Sequence, residues 1–149
     1  MTAPLPAVFL YTDGACSPNP GVGGWGVVMT YPAGNHRREI SGRVDRATNN
    51  RMELLAVIQG LRHLKGRCQV TVTTDSEYVY NAVTKHWLDG WAKRGWMGSN
   101  GTPIKNQDLW EKLIDAMAQH QVTLQWIKGH AGHPENERAD QLAVAARRS

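Results

Sequence analysis

Two aspartates close short apolar runs in near-identical surroundings, Asp13 in Tyr-Thr-Asp-Gly and Asp75 in Thr-Thr-Asp-Ser. Runs such as Val8–Thr12 and Val70–Thr73 read as buried strands, and in sheets with parallel strands sites form just beyond the carboxyl ends. If those two strands are neighbours, the aspartates stand side by side. Two further acids can turn to the same point: Glu53 in the first turn of the following helix, and Asp140 within the last helix on the face of Asn136 and Val144. Two unit charges ~4 Å apart repel by about 4 kcal/mol at an effective dielectric of about 20. Such a cluster persists only when protons or hard cations neutralise it. Oxygen donors without cysteine favour Mg²⁺ or Mn²⁺ over Zn²⁺. A pair of such ions about 4 Å apart activates water and stabilises a leaving oxygen in phosphodiester hydrolysis. Spacing alone leaves a plainer reading open: Asp13-Gly14 is a good turn, Asp75 a good helix cap, and Glu53 suits a helix start electrostatically.

The elements that must position these acids are legible in outline. After Val8–Thr12, a Gly/Pro-rich loop from Ser17 to Gly24 leads to two strands, Trp25–Tyr31 and Arg38–Val44, separated by a turn at Pro32-Ala33-Gly34. These three strands form an antiparallel meander. Thr48-Asn49-Asn50 suits a helix cap, and Leu54, Ile58, Leu61 and Leu64 then recur at helical spacing. Val70–Thr73 is the fourth strand and Ser76–Thr84 reads as helical. A loop-rich stretch carries Trp87, Trp91 and Trp96, and Asn106 suits the cap of a helix striped by Leu109, Leu113, Ile114 and Met117. Val122–Ile127 is the last strand, and a polar loop, Gly129–His133, leads into a helix from Pro134. Strands alternating with helices in the second half imply parallel pairing. The expectation is one α/β domain over residues 1–149: a mixed five-stranded sheet, antiparallel meander then parallel strands, flanked by helices.

A chain of 149 residues supports one core. Its 17 basic against 13 acidic side chains give a net charge of +4, which suits a polyanionic partner without requiring one. No stretch is apolar enough to cross a bilayer, the first residues lack the features of a secretory signal, and Cys16 and Cys68 match no metal or redox spacing. A cytoplasmic protein with reduced thiols is expected.

The motifs taken together resemble one family. Tyr-Thr-Asp-Gly-Ala-Cys with Asn19-Pro20-Gly21, Thr48-Asn49-Asn50-Arg51-Met52-Glu53, Thr74-Asp75-Ser76, and Trp126 through His133 continuing to Asn136-Glu137-Arg138-Ala139-Asp140 resemble type 1 ribonuclease H, bacterial form, in order over nearly the whole chain. The resemblance implies a ribonuclease H-like fold, with Asp13, Glu53, Asp75 and Asp140 binding two Mg²⁺, Mn²⁺ being a substitute. It implies hydrolysis of the RNA strand of an RNA–DNA hybrid with 5′-phosphate and 3′-hydroxyl products, by a monomer needing no protein partner. His130, in a glycine-flanked loop, matches a histidine that assists proton handling or product departure.

Telling RNA from DNA requires contact with the 2′-hydroxyl. The matching set is loop backbone at Gly14 and Cys16 with Asn19, Asn49 and Glu53, while the amides of Asn49 and Asn50 can reach minor-groove base edges. By resemblance, Arg46, Thr48 and Asn106 form a pocket for a DNA phosphate. Trp87, Trp91 and Trp96 with Lys85, Lys93 and Arg94 look like a basic, aromatic protrusion along the DNA strand. Trp110 and Trp126 read as core. Two departures stand out: Glu77 where the bacterial enzymes commonly carry glutamine, and an uncharged stretch from Trp96 to Thr102. Both point to weaker hybrid affinity. The rival readings are a silent hybrid-binding module, which the intact acids oppose, and another nuclease or strand transferase on the same fold.

Overall fold

Thr48 opens the helical half of the chain: its hydroxyl accepts a hydrogen bond from the Arg51 amide at 3.2 Å, starting α1 (Asn49–Arg62). The computed structural model describes residues 4–129 and 131–149. Ahead of α1 lie β1 (Ala7–Cys16), β2 (Gly21–Tyr31) and β3 (His36–Ala47). Then follow β4 (Gln69–Thr74), α2 (Glu77–Thr84), α3 (Trp87–Lys93), α4 (Gln107–Ala118), β5 (Gln121–Trp126) and α5 (Pro134–Arg148). Strand order is β3-β2-β1-β4-β5, with β1–β2 and β2–β3 antiparallel and β1–β4 and β4–β5 parallel, the mixed sheet the sequence implies.

Side chains alternate across a strand, so each sheet face selects its own helices. Leu10, Val27, Met29, Val70 and Val72 pack with Leu54, Ile58 and Leu61 of α1 and with Trp110 and Leu113 of α4. On the other face β2 presents Gly24 and Gly26 to Ala139 and Ala143 of α5, where a Cβ on Gly26 would lie 2.5 Å from the Ala139 carbonyl. Only hydrogen at those two positions lets α5 settle on the sheet, and α5 carries Asp140. Its first two turns are also clasped to β3: Arg138 grips Glu39 at 2.8 and 3.0 Å, and Arg37 grips Glu135 at 2.9 and 3.2 Å.

Several local expectations are corrected. Asp13-Gly14 is no turn; β1 continues to Cys16, pairing Asp13 with Gly26 and Gly14 with Trp25. The Gly/Pro-rich loop shrinks to residues 17–20, because Gly21–Gly24 belong to β2. The tryptophan-rich stretch contains a helix, α3, since Leu88 and Trp91 fall on one side of a helical turn and pack inward. Asn106 precedes α4 in a left-handed conformation, φ 64°, and its side chain caps nothing. Trp110 is fully buried as expected, whereas Trp126, expected in the core, is 39% exposed. The alternation of β5 points it inward like Leu124, but the strand there has run past the end of the core. Trp96 is half-buried against the core. Among the described residues no helix is long and apolar enough to cross a membrane.

Candidate active site

The parallel ladder of β1 and β4 ends at the pair Thr12–Thr74. Asp75, just past the end of β4, therefore stands beside Asp13, which lies in β1 where that strand runs on to Cys16 paired with β2 alone. Glu53 comes from α1, in its second turn rather than the first, as the fifth residue from Asn49. Gly14 sets its approach: a Cβ there would lie 2.5 Å from the Glu53 nitrogen, so the backbone of α1 rests directly on β1. One carboxylate oxygen each from Asp13, Glu53 and Asp75 lie within 4.8 Å of one another. Asp140 borders the same cleft of about 400 Å³, reaching it from α5 without joining that tight triplet. Asn49, Asn50, Ser76, Glu77 and Tyr78 complete its wall with Gly14, giving a described lining of five carboxylates and no cation. A depression of similar size, about 410 Å³, opens near Leu61, Lys65 and His120, but it gathers no carboxylate.

Electrostatics follow from burial. Asp13 is 5% exposed. Burial pushes its pKa from the ordinary 3.8 up to about 8, with the charges of Asp75 and Asp140 adding to the rise and hydrogen bonds from Glu53 and the Gly14 amide opposing it. Burial and the neighbouring Asp13 and Asp75 likewise push Glu53 well above the carboxylate range. Without a cation, the cluster therefore holds a proton. Glu53 Oε1 is buried with no hydrogen-bond partner among the described residues. An orphaned, buried carboxylate oxygen is costly unless a positive group faces it. The donor set is all oxygen, and the site fits a hard divalent cation such as Mg²⁺.

Of the remaining residues singled out in the sequence, Asn49 and Asn50 are exposed on the cleft wall. Asn19 braces that helix start, its Oδ1 accepting from the Asn49 amide at 3.2 Å. Cys16 is buried, its thiol donating to the carbonyls of Pro18 and Ala47, so it offers a ligand backbone only. The hydroxyl of Thr48 is engaged by Arg51, while Arg46 is exposed. Asn106 joins a network that sequence reasoning missed: Oδ1 accepts from Arg51 Nη1 at 3.3 Å and Nδ2 donates to the Tyr78 hydroxyl at 3.0 Å. Arg51 itself forms a bidentate pair with Asp108 at 2.9 and 2.7 Å. Trp87 is exposed, with Lys85 Nζ 5.7 Å from its ring centroid. Trp91 is half-buried and stacks on Trp110, which stacks on Tyr78, so an aromatic row runs from α3 to the cleft wall. Lys93 and Arg94 are exposed at the end of α3. His130 lies outside the described residues. His133 begins α5 through its carbonyl, which accepts from the Glu137 amide at 2.9 Å, and its side chain makes no cap bond.

Carboxylates gathered where the parallel β1–β4 ladder ends, on a mixed sheet packed by helices, form an all-oxygen site suited to a divalent cation. The RNase H family profile matches residues 6–148. The ribonuclease H of Aeromonas salmonicida is 56% identical over 139 residues, covering 93% of this chain and 88% of that protein. The ribonuclease HI of Neisseria meningitidis serogroup B is 55% identical over 136 residues, covering 91% and 92%. Among solved structures, LC9-RNase H1, described as a type 1 RNase H with the type 2 active-site motif, superposes with a TM-score of 0.87 at 38% identity, over 99% of this chain and 74% of that one. LC11-RNase H1, solved in complex with an RNA/DNA hybrid, gives 0.69 at 26% identity over 95% and 96%. The chain belongs to the RNase H family, a family of endoribonucleases, in its bacterial type 1 form.

Proposed function

We propose that the chain hydrolyses the RNA strand of RNA–DNA hybrids, leaving 5′-phosphate and 3′-hydroxyl ends, with Asp13, Glu53, Asp75 and Asp140 holding two Mg²⁺. The observation that carries this reading is the carboxylate cluster with its orphaned Glu53 oxygen, in a chain whose relatives are ribonucleases H. When bound, divalent ions supply Lewis acidity, lowering the pKa of water and stabilising the leaving oxygen, and Mn²⁺ can replace Mg²⁺. The four carboxylates orient that centre, and burial excludes competing solvent around Asp13. Asn49 and Asn50, exposed on the cleft wall, donate and accept along the minor groove, and the Cys16 backbone with Asn19 supports the same strand. Arg46, Thr48 and Asn106 take a phosphate of the DNA strand. Trp87, Trp91, Lys93 and Arg94 carry that strand onward, Trp91 chiefly by bracing Trp87. His130 handles a proton or assists departure of product. We take the enzyme to act as a cytoplasmic monomer.

Incubation of the protein and Mg²⁺ with end-labelled hybrid, single-stranded RNA and duplex DNA tests the reading. Cutting confined to the RNA of the hybrid, and abolished by chelator, supports it; binding of hybrid without cutting in either Mg²⁺ or Mn²⁺ reduces the protein to a binding module.

A further inference from the structure

Trp126 leaves 39% of its surface in solvent, where Trp110 leaves none. The Trp126 ring nitrogen is in use: Nε1 donates to the backbone carbonyl of Asp75 at 3.1 Å. The β4–β5 ladder ends just before that point, at the bond from the Ile127 amide to the Thr74 carbonyl, 3.0 Å. Beyond it the chain bends at Asp75 and enters α2, with Ser76 N–H held by Thr74 Oγ1 at 3.0 Å and Ser76 Oγ accepting from Val79 at 3.2 Å. The residues on both sides of Asp75 are thus fixed by local bonds. Its own carbonyl is met from a different strand, by a side chain that can only donate.

A second contact comes from the same exit of β5. Gly129 lies so close to Asp75 that a Cβ on it would sit 2.8 Å from Oδ2. The segment leaving β5 therefore meets Asp75 twice: the indole bonds its backbone, and the glycine leaves room beside its carboxylate.

We infer that Trp126 is a positioning residue for the metal centre, its indole N–H fixing the Asp75 peptide so that the carboxylate faces Asp13 and Glu53 before any cation binds. This rests on the metal-dependent reading given above. A preset ligand avoids reorganisation on binding, so loss of the bond weakens the metal rather than the hybrid.

Trp126→Phe keeps the ring and removes the donor. The expected results are a rise of about threefold to tenfold in the Mg²⁺ concentration that half-saturates the protein in calorimetry, the scale of one hydrogen bond, and an equal shift in the Mg²⁺ dependence of cleavage. kcat recovers at high Mg²⁺, and KM for hybrid stays within about twofold. Trp126→Tyr, a second ring without the indole donor, must weaken Mg²⁺ in the same way, and it carries the test should Trp126→Phe not fold. Unchanged Mg²⁺ affinity with a lower Tm overturns the inference, because Trp126 is then only a packing residue. A raised KM at unchanged Mg²⁺ affinity overturns it in favour of direct substrate contact. If the wild-type protein binds no Mg²⁺ the metal-dependent reading falls as well, which separates that failure from a failure of Trp126 alone.

Discussion

Replacing Asp13 by asparagine abolishes the proposed activity, yet it should make the metal-free protein more stable. Asp13 sits 5% exposed among Glu53, Asp75 and Asp140, and its pKa rises from 3.8 to about 8. A carboxyl raised on folding binds more protons in the native state, so its contribution to stability falls as pH rises through that window and levels off above about 8. At about 1.4 kcal/mol per pH unit, the ceiling of this penalty is about 6 kcal/mol. Asp13 and Glu53 are coupled, so a neutral amide recovers only part of it, on the order of 3 kcal/mol. For a domain of this length each kcal/mol moves Tm by about 2–4 °C, giving about 6–12 °C above pH 8. The gain should shrink steadily towards pH 4 and vanish below it, where the wild-type carboxyl is protonated in both states. Thermal unfolding by circular dichroism in chelator, across that pH range, reads both quantities. Saturating Mg²⁺ should narrow the gap, because it binds the folded wild type. A variant that melts below wild type above pH 8, or a difference that does not change with pH, refutes the assignment of a buried, proton-holding cluster.

Other substitutions probe how the cleft is built. Gly14→Ala forces a Cβ against the Glu53 backbone at 2.5 Å; a loss of about 2–3 kcal/mol in denaturant unfolding and at least a tenfold drop in kcat are expected. Glu77→Gln removes a charge from a cleft wall whose described residues include no cation; hybrid KM should fall severalfold at low salt, and the gain should vanish at high salt, where exposed charges are screened. Glu39 is held at about 2 by Arg138 and Arg37. Its contribution is present above about pH 4.5 and lost as pH falls towards 2, so Glu39→Gln should flatten the acid-unfolding curve there, as followed by fluorescence.

The carboxylate cluster was legible largely because it rests on register. Two apolar runs leading into aspartate became adjacent parallel strands, and the step from Thr12–Thr74 to Asp13 and Asp75 needed only that adjacency. Helical periodicity located Glu53 and Asp140 on their helices. What stayed hidden depended on distant partners. Gly14 looks like half of a turn, and only the backbone of α1 lying against it shows why glycine stands inside a strand. Asn106 looks like a cap, but its amide is committed to Tyr78 and Arg51, 28 and 55 residues away in sequence. Trp126 follows the inward alternation of Val122 and Leu124, and no local pattern marks where the core ends beneath it. The Glu135–Arg37–Glu39–Arg138 clasp is likewise a product of α5 returning to β3.

The central claim is that the carboxylate cluster performs metal-dependent cleavage of RNA within a hybrid. Its most direct test is strand-labelled hybrid incubated with Mg²⁺ and either wild-type protein or Asp13→Asn, with hybrid binding measured in parallel. Cutting of RNA alone by the wild type, and loss of cutting with binding retained in the variant, is the expected outcome. Cleavage that survives the substitution, or that proceeds in chelator, would contradict the account and move the chemistry elsewhere on the molecule.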